Sequence, residues 1–216
     1  MQYVVIPAYN EASRLGNVID TVKQFADTIV VVDDGSIDGT SQIAEQHGAI
    51  LVRHRVNMGK GAALKSGCDF ACRNGATRIV VLDADGQHEP KHIPQFMAAL
   101  EEHDIVYSYR QASGEQPFVL KFGNGFINNC LAFVHGVKVK DSQCGYRAFT
   151  ADAYSKVRWR ARDYYMETEM IINASKKNMK QTELPINTIY GDKYKGTTVL
   201  DGVKIVGKIL SAKVVS

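Results

Sequence analysis

The sequence predicts an α/β protein with a mostly parallel central sheet flanked by helices, and three observations carry that prediction. Short runs rich in Val and Ile alternate with stretches of helical periodicity. Several of those runs end in clusters of acids, glycines and prolines, at the edge where such a sheet binds its ligands. The 216 residues are 45% apolar and 23% charged, which suits one globular domain with a substantial core.

In chain order, strands are expected at residues 3–6, 28–32, 50–53, 78–82 and 104–108, with helices near 12–25, 39–47, 61–73 and 90–102. Asp38 and Glu89 stand where helix caps belong, and Pro90 suits a first helical turn. After Tyr109 the pattern changes. A polar loop at 110–116 leads to a long, partly apolar helix around 119–134, a strand-like 144–149, a helix around 165–177, a strand around 181–189, a Gly/Lys/Thr-rich loop and an amphipathic helix from 200 to 214. The single domain, 1–216, thus divides into halves at 1–109 and 110–199, with 200–216 as a C-terminal helix.

Composition excludes several classes. A net charge of +3 does not demand a nucleic-acid partner. No apolar run reaches the roughly 18–20 residues of a spanning helix, and Met1 leads into a strand rather than a signal peptide, so a soluble, unprocessed chain is expected. Cys68, Cys72, Cys130 and Cys144 form no CxxC pair and read as free thiols in a reducing compartment.

Three polar clusters follow strands: Pro7 to Glu11, Asp33 to Thr40, and Asp83 to His88. Acids and glycines in such places also simply turn the chain and cap the next helix. Asp83 and Asp85 say more. Alternate residues at a strand end share a side, and two close carboxylates repel unless a cation such as Mg²⁺ or Mn²⁺ lies between them. There is no GxGxxG after the first strand, and Asn57 to Gly61 lacks the upstream Gly and the Ser/Thr of a P-loop. Lys60, between Gly59 and Gly61 before a helix, reads either as an anion contact beside a helix N-terminus or as a solvated lysine on a turn.

The segments PAYNE, VVDDGSIDGT, NMGKGAALKSG, DADGQHEP and DSQCGYRAF, in that order over about residues 3–190, resemble the family 2 glycosyltransferases of GT-A fold, above all the dolichyl-phosphate and polyprenyl-phosphate hexose synthases. The resemblance implies that Pro7, Tyr9 and Glu11 hold base and ribose of a nucleotide sugar, that Asp33 and Asp34 contact the nucleotide, and that Asp83 and Asp85, with Gln87, bind Mg²⁺ or Mn²⁺ on the donor diphosphate. Arg110, Lys121, Asp141 and Arg147 fall in segments matching the acceptor-phosphate region. Lys193 and Lys195 fall in the late loop that closes over the site. Glu167 and Glu169 stand where hydroxyl-glycosylating relatives keep a base, or else orient a cation from a helix face. Asp85, Arg147 and Glu169 are the expected catalytic set.

The expected activity is inverting transfer of a hexose, from GDP-mannose or UDP-glucose, to dolichyl or polyprenyl phosphate at the cytoplasmic membrane face. A lipid phosphate is already anionic and needs positive charge and positioning, whereas a sugar hydroxyl needs a base. The rivals are a hydroxyl-glycosylating enzyme and a non-catalytic nucleotide-sugar-binding subunit. Val199, Leu200, Val203, Val206 and Leu210 recur at helical steps, widened by Ile205 and Ile209, with Lys204, Lys208 and Lys213 largely off the stripe. That helix either packs on the core or lies on an anionic membrane as a peripheral anchor, alone or with an anchoring partner.

Overall fold

A computed structural model describes residues 1–111, 118–189 and 199–214, apart from the side chains of 118–122, 199–200 and 213–214. The described strands form one seven-stranded sheet: β1 (Gln2–Ala8), β2 (Ile29–Asp33), β3 (Ile50–Arg53), β4 (Arg78–Val81), β5 (Ile105–Arg110), β6 (Arg147–Thr150) and β7 (Gln181–Ile186), in the order β3-β2-β1-β4-β6-β5-β7. All pairings are parallel except those of β6, which runs antiparallel to both β4 and β5.

The helices are α1 (Ala12–Val22), α2 (Thr40–Gln46), α3 (Lys60–Arg73), α4 (Ile93–Ala99), α5 (Phe118–His135), α6 (Ala151–Val157), α7 (Tyr165–Lys176) and α8 (Val199–Val214), with one 3₁₀ turn at Pro90–His92 before α4. Strand alternation sorts the core into two layers. Val5, Val30, Val32, Ile79, Val81 and Phe149 pack on α3, α6 and α7, while Val4, Ile6, Val31, Val80 and Ala148 pack on α1 and α4. Each of the buried Val, Ile and Phe side chains contributes roughly 1.5–3 kcal/mol through removal of apolar surface from water.

Gly67 lets α3 lie close on the sheet, since a Cβ there would come within 2.8 Å of Val32 Cγ2 and press on Val5. A third, smaller cluster joins α5 to α8 through Ile127, Val134, Ile205 and Ile209, with Tyr165 of α7.

Differences from the sequence expectations are local. Helix α6 has no counterpart among the expected elements; it starts where the Thr150 hydroxyl accepts the N–H of Ala153 at 3.1 Å, so the last residue of β6 is also the helix cap. The helix expected at 90–102 splits into the 3₁₀ turn and α4, because two prolines, Pro90 and Pro94, each remove a backbone donor.

Candidate active site

The parallel strands β1, β2 and β4 end at one edge, and their following loops, with the start of α3 and the segment 143–145, line a cavity of about 1010 Å³. Pro7, Tyr9, Glu11, Asp34, Lys60, Asp83, Asp85, Gln87 and Arg110 all line it. The loops are held by their own acids. Asp33 is fully buried, accepts the N–H of Ser36 at 2.8 Å and the hydroxyl of Ser41, and is not among the lining residues. Asp34 accepts the N–H groups of Met58 (2.9 Å) and Gly59 (2.8 Å) and lies 2.7 Å from His54 Nδ1. Of the acidic pair expected to face the nucleotide, only Asp34 borders the cavity, and Asp33 shapes the turn behind it.

The start of α3 is arranged differently from an open anion site. Gly61 N–H donates to Arg162 O at 2.8 Å, and Gly59, at φ +95°, is pressed against that same carbonyl, so a side chain at 59 or 61 would meet backbone. The Gly59 and Gly61 amides are therefore already used, and what this segment offers is the Lys60 ammonium. Its Nζ lies 2.7 Å from Asp83 Oδ1 and 3.1 Å from Glu167 Oε1. Burial opposes its charge, but those two carboxylates outweigh it and hold the lysine protonated well above the ordinary range.

Asp83 and Asp85 follow β4. Burial would raise Asp83, yet Lys60 keeps it below the usual carboxylate range. Asp85 lacks such a neighbour; burial and the charge of Asp83 push it up to about 6, although it accepts Gln87 N–H at 2.9 Å. The surplus negative charge suits a hard divalent cation. Among the described residues no three acid, His or Cys side chains converge on a common metal position. Two carboxylates with waters and substrate phosphates are nonetheless a sufficient set for Mg²⁺ or Mn²⁺. His88, to which the sequence pattern assigns no role, lines the same wall. It is buried, accepts Asp83 N–H at 3.4 Å on Nδ1 and stacks on Tyr146; burial lowers it to about 4, so its ring is neutral.

On the opposite wall Arg110 grips Asp141 through Nε (2.7 Å) and Nη2 (3.1 Å), and Asn124 adds a bond at 2.8 Å. Against its burial, the guanidinium keeps Asp141 below the usual carboxylate range. Beyond Arg110 the wall turns apolar, with Phe126 and Ile127 of α5 facing Val203 and Val206 of α8. This end, contributed by α8, had no signal in the sequence beyond amphipathicity.

Two expected catalytic residues are elsewhere. Arg147 is 1% exposed and spends its guanidinium on the carbonyls of Cys144 (2.9 Å), Glu167 (2.6 Å) and Ser142 (2.7 Å), because the first position of β6 points it inward. Glu169 accepts the N–H groups of Arg160 (2.9 Å) and Ala161 (2.8 Å), bracing the segment that packs on the start of α3. Neither lines the cavity. Lys193 and Lys195 lie outside the described residues, as does the side chain of Lys121.

Known proteins match this architecture. Residues 3–188 fit the description "Glycosyl transferase family 2". An uncharacterised protein of Methanocaldococcus jannaschii is 36% identical over 98% of this chain and 92% of its own. The UDP-N-acetylglucosamine–dolichyl-phosphate N-acetylglucosaminyltransferase of Methanococcus voltae is 31% identical over 98% of this chain and 95% of its own. Other relatives bear the names polyprenol monophosphomannose synthase and dolichyl-phosphate beta-glucosyltransferase. Among solved structures, glucosyl-3-phosphoglycerate synthase from Mycobacterium tuberculosis, in complex with Mn²⁺, UDP and phosphoglyceric acid, aligns with a TM-score of 0.77 at 19% identity, over 100% of this chain and 77% of that one.

The sheet and its ligand edge are thus of the GT-A type that serves nucleotide-sugar transferases. The chain belongs to glycosyltransferase family 2 and is a glycosyltransferase with polyprenyl-phosphate sugar transferases among its relatives.

Proposed function

We propose that this protein transfers a sugar, with inversion, from a nucleoside diphosphate sugar to a dolichyl or polyprenyl phosphate. The observation that carries the reading is the single cavity that begins at Asp83 and Asp85 and ends between the apolar faces of α5 and α8. A charged donor suits the first end and a lipid-linked acceptor the second.

Residues 1–109 form the donor half in this reading, 110–199 the acceptor half, and 200–216 the helix at its rim. Pro7, Tyr9, Glu11 and Asp34 border the nucleotide, and Asp83 and Asp85, with Gln87 beside them, hold Mg²⁺ or Mn²⁺. When bound, that cation stabilises the negative charge left on the departing diphosphate. Lys60 adds a fixed positive charge at the same end, and Arg110, oriented by Asp141, supplies one toward the incoming phosphate. A phosphate oxygen attacks C1 of the sugar as the bond from C1 to the nucleoside diphosphate breaks on the opposite face. No protein base is required, consistent with Glu169 being bound to backbone amides and Glu167 being paired with Lys60.

The acceptor's chain stays in a bilayer, so the enzyme works at its surface, on the cytoplasmic side where free thiols and nucleotide sugars meet. No described helix is long and apolar enough to cross a membrane. The outer sides of α5 and α8 instead carry exposed Phe133 and Leu210, and Phe126 and Val203 are also exposed where they line the cavity. An anchoring partner is compatible with the same face.

The test is a donor panel of GDP-mannose, UDP-glucose and UDP-N-acetylglucosamine with polyprenyl phosphate, each with Mg²⁺, Mn²⁺ or EDTA. Sugar-linked polyprenyl phosphate is expected from one donor and none in EDTA. Transfer only to a free sugar hydroxyl would overturn the acceptor assignment.

A further inference from the structure

Lys60 and Glu167 form a pair that the transfer reaction as described does not fully use. The Glu167 side chain is only 3% exposed, and neither of its oxygens has a hydrogen-bond partner. Among the described residues its one ion-pair contact is the Lys60 ammonium at 3.1 Å. That same ammonium lies 2.7 Å from Asp83, and Gly145 encloses it: a Cβ at 145 would sit 2.7 Å from Lys60 Nζ and 2.9 Å from Asp83 Oδ2. The ring of Tyr164 stands 5.6 Å from the ammonium. Lys60 is therefore confined between two carboxylates, one at the cation site and one behind it.

Charge balance gives this arrangement a meaning. Asp83, Asp85 and Glu167 bring three negative charges against one from Lys60, leaving two, which a divalent cation would neutralise. Of the other ions on the cavity wall, Arg110 is paired with Asp141, Arg14 with Glu11 and Asp163 with Lys208, and His88 is neutral.

We propose that Lys60 stands in for the divalent cation at Asp83 in the metal-free protein, and that Glu167 is the positioning residue that draws the ammonium aside when the cation enters. The inference rests on Asp83 and Asp85 being the cation site. A buried carboxylate with no other partner is costly, so Lys60 cannot leave Glu167, and it gives up Asp83 instead. The pair thus sets the affinity for the metal, and leaves the ammonium beside the diphosphate position once the metal is bound.

Mn²⁺ titration of the full chain, followed by electron paramagnetic resonance of the free ion, tests this without turnover. Lys60→Met is expected to bind Mn²⁺ about tenfold or more tightly than the parent, because a unit charge a few Å away is worth at least that factor even at an effective dielectric near 20. Glu167→Gln is expected to bind it about tenfold more weakly, with the ammonium left wholly on Asp83. The decisive comparison is the double variant. If Glu167 acts through Lys60, adding Glu167→Gln to Lys60→Met changes affinity by less than about twofold. Additive effects would mean that Glu167 acts directly on the ion and would overturn the proposal. Circular dichroism and thermal melts check each fold, and Lys60→Arg, which keeps the charge, replaces Lys60→Met if that variant does not fold; it should bind Mn²⁺ no more tightly than the parent. Absence of Mn²⁺ binding by the parent, alone or with UDP or GDP, would remove the cation site itself, whereas parent binding unaffected by Lys60→Met would remove only the stand-in role.

Discussion

The Asp34 carboxylate accepts the backbone N–H of Gly59 at 2.8 Å, tying the loop after β2 to the residue before α3. Through this bond, and that to Met58, an acid at one strand end fixes where Lys60 begins its helix. Asp34→Ala leaves two amide donors and His54 Nδ1 without that partner. The expected cost is about 2 kcal/mol or more, read by urea unfolding, with faster amide exchange at Met58 and Gly59 while the α7 amides stay protected. Unchanged exchange at those two amides would show that the bonds do not hold the turn.

Asp85 is the cleanest handle on the metal. Its raised pKa of about 6 means that the metal-free site holds a proton below that pH, which an entering cation must displace. Mn²⁺ affinity should be level above about pH 7 and fall up to tenfold per unit below 6. The same shift makes this acid unusual in sign: the folded state binds its proton more tightly than the unfolded chain, so the group favours folding as pH falls through 6 toward 4. Asp85→Asn should abolish metal-dependent transfer, remove the pH dependence and leave the thermal melt at or above the parent's. Full activity in EDTA would contradict the assignment.

Arg147 belongs to the frame. Arg147→Ala strands three buried carbonyls, and a loss of about 3 kcal/mol or more in unfolding free energy is expected. Glu169→Gln, which keeps one acceptor for the two loop amides, should cost about 1 kcal/mol. If either variant melted like the parent while its KM for lipid phosphate rose selectively, the residue would be an acceptor contact after all.

The outer faces of α5 and α8 make a separate forecast. Phe133 is 89% exposed and Leu210 54%, each seven residues beyond the exposed Phe126 and Val203 on its own helix. Since Ile127 meets Gly202 and His135 meets the Ile209 carbonyl, the two helices run side by side in the same direction, and the four residues stand at two matching levels. Co-sedimentation with phosphatidylglycerol-containing vesicles should be lost in Phe133→Asp/Leu210→Asp, with donor binding intact, because Ile205 and Ile209 face inward and keep α8 in place. Equal sedimentation of variant and parent would exclude this face as the membrane contact.

The first half was readable in the sequence because its central strands β1, β2 and β4 are parallel, buried on both faces and each followed by a polar turn, so composition alone marks strand, edge and site together. The second half hides its logic in orientation. Arg147 sits in a motif whose Cys144 and Gly145 do face the cavity, and only the pleat of β6 decides that the arginine does not. Glu167 and Glu169 are two residues apart on α7, roughly 200° around the helix, so one meets Lys60 and the other the loop before α7. Periodicity marked α8 as amphipathic, but its stripe is shared between inward Ile205 and Ile209, cavity-lining Val203 and Val206, and outward Leu210, which one-dimensional spacing cannot separate.

Because β6 lies between β4 and β5, the order of synthesis and the order of the sheet disagree. As the chain emerges, β3, β2, β1 and β4 can assemble at once, but β5, finished at Arg110, has no neighbour until residues 147–150 arrive. Its one other neighbour, β7, comes later still. For some forty residues of translation a strand of Ile, Val and Tyr waits with both edges open, the interval in which a nascent chain is most exposed to aggregation and to chaperone capture. Fragments that stop between 110 and 147 inherit that open strand permanently, so useful truncations of this enzyme will be found outside those limits.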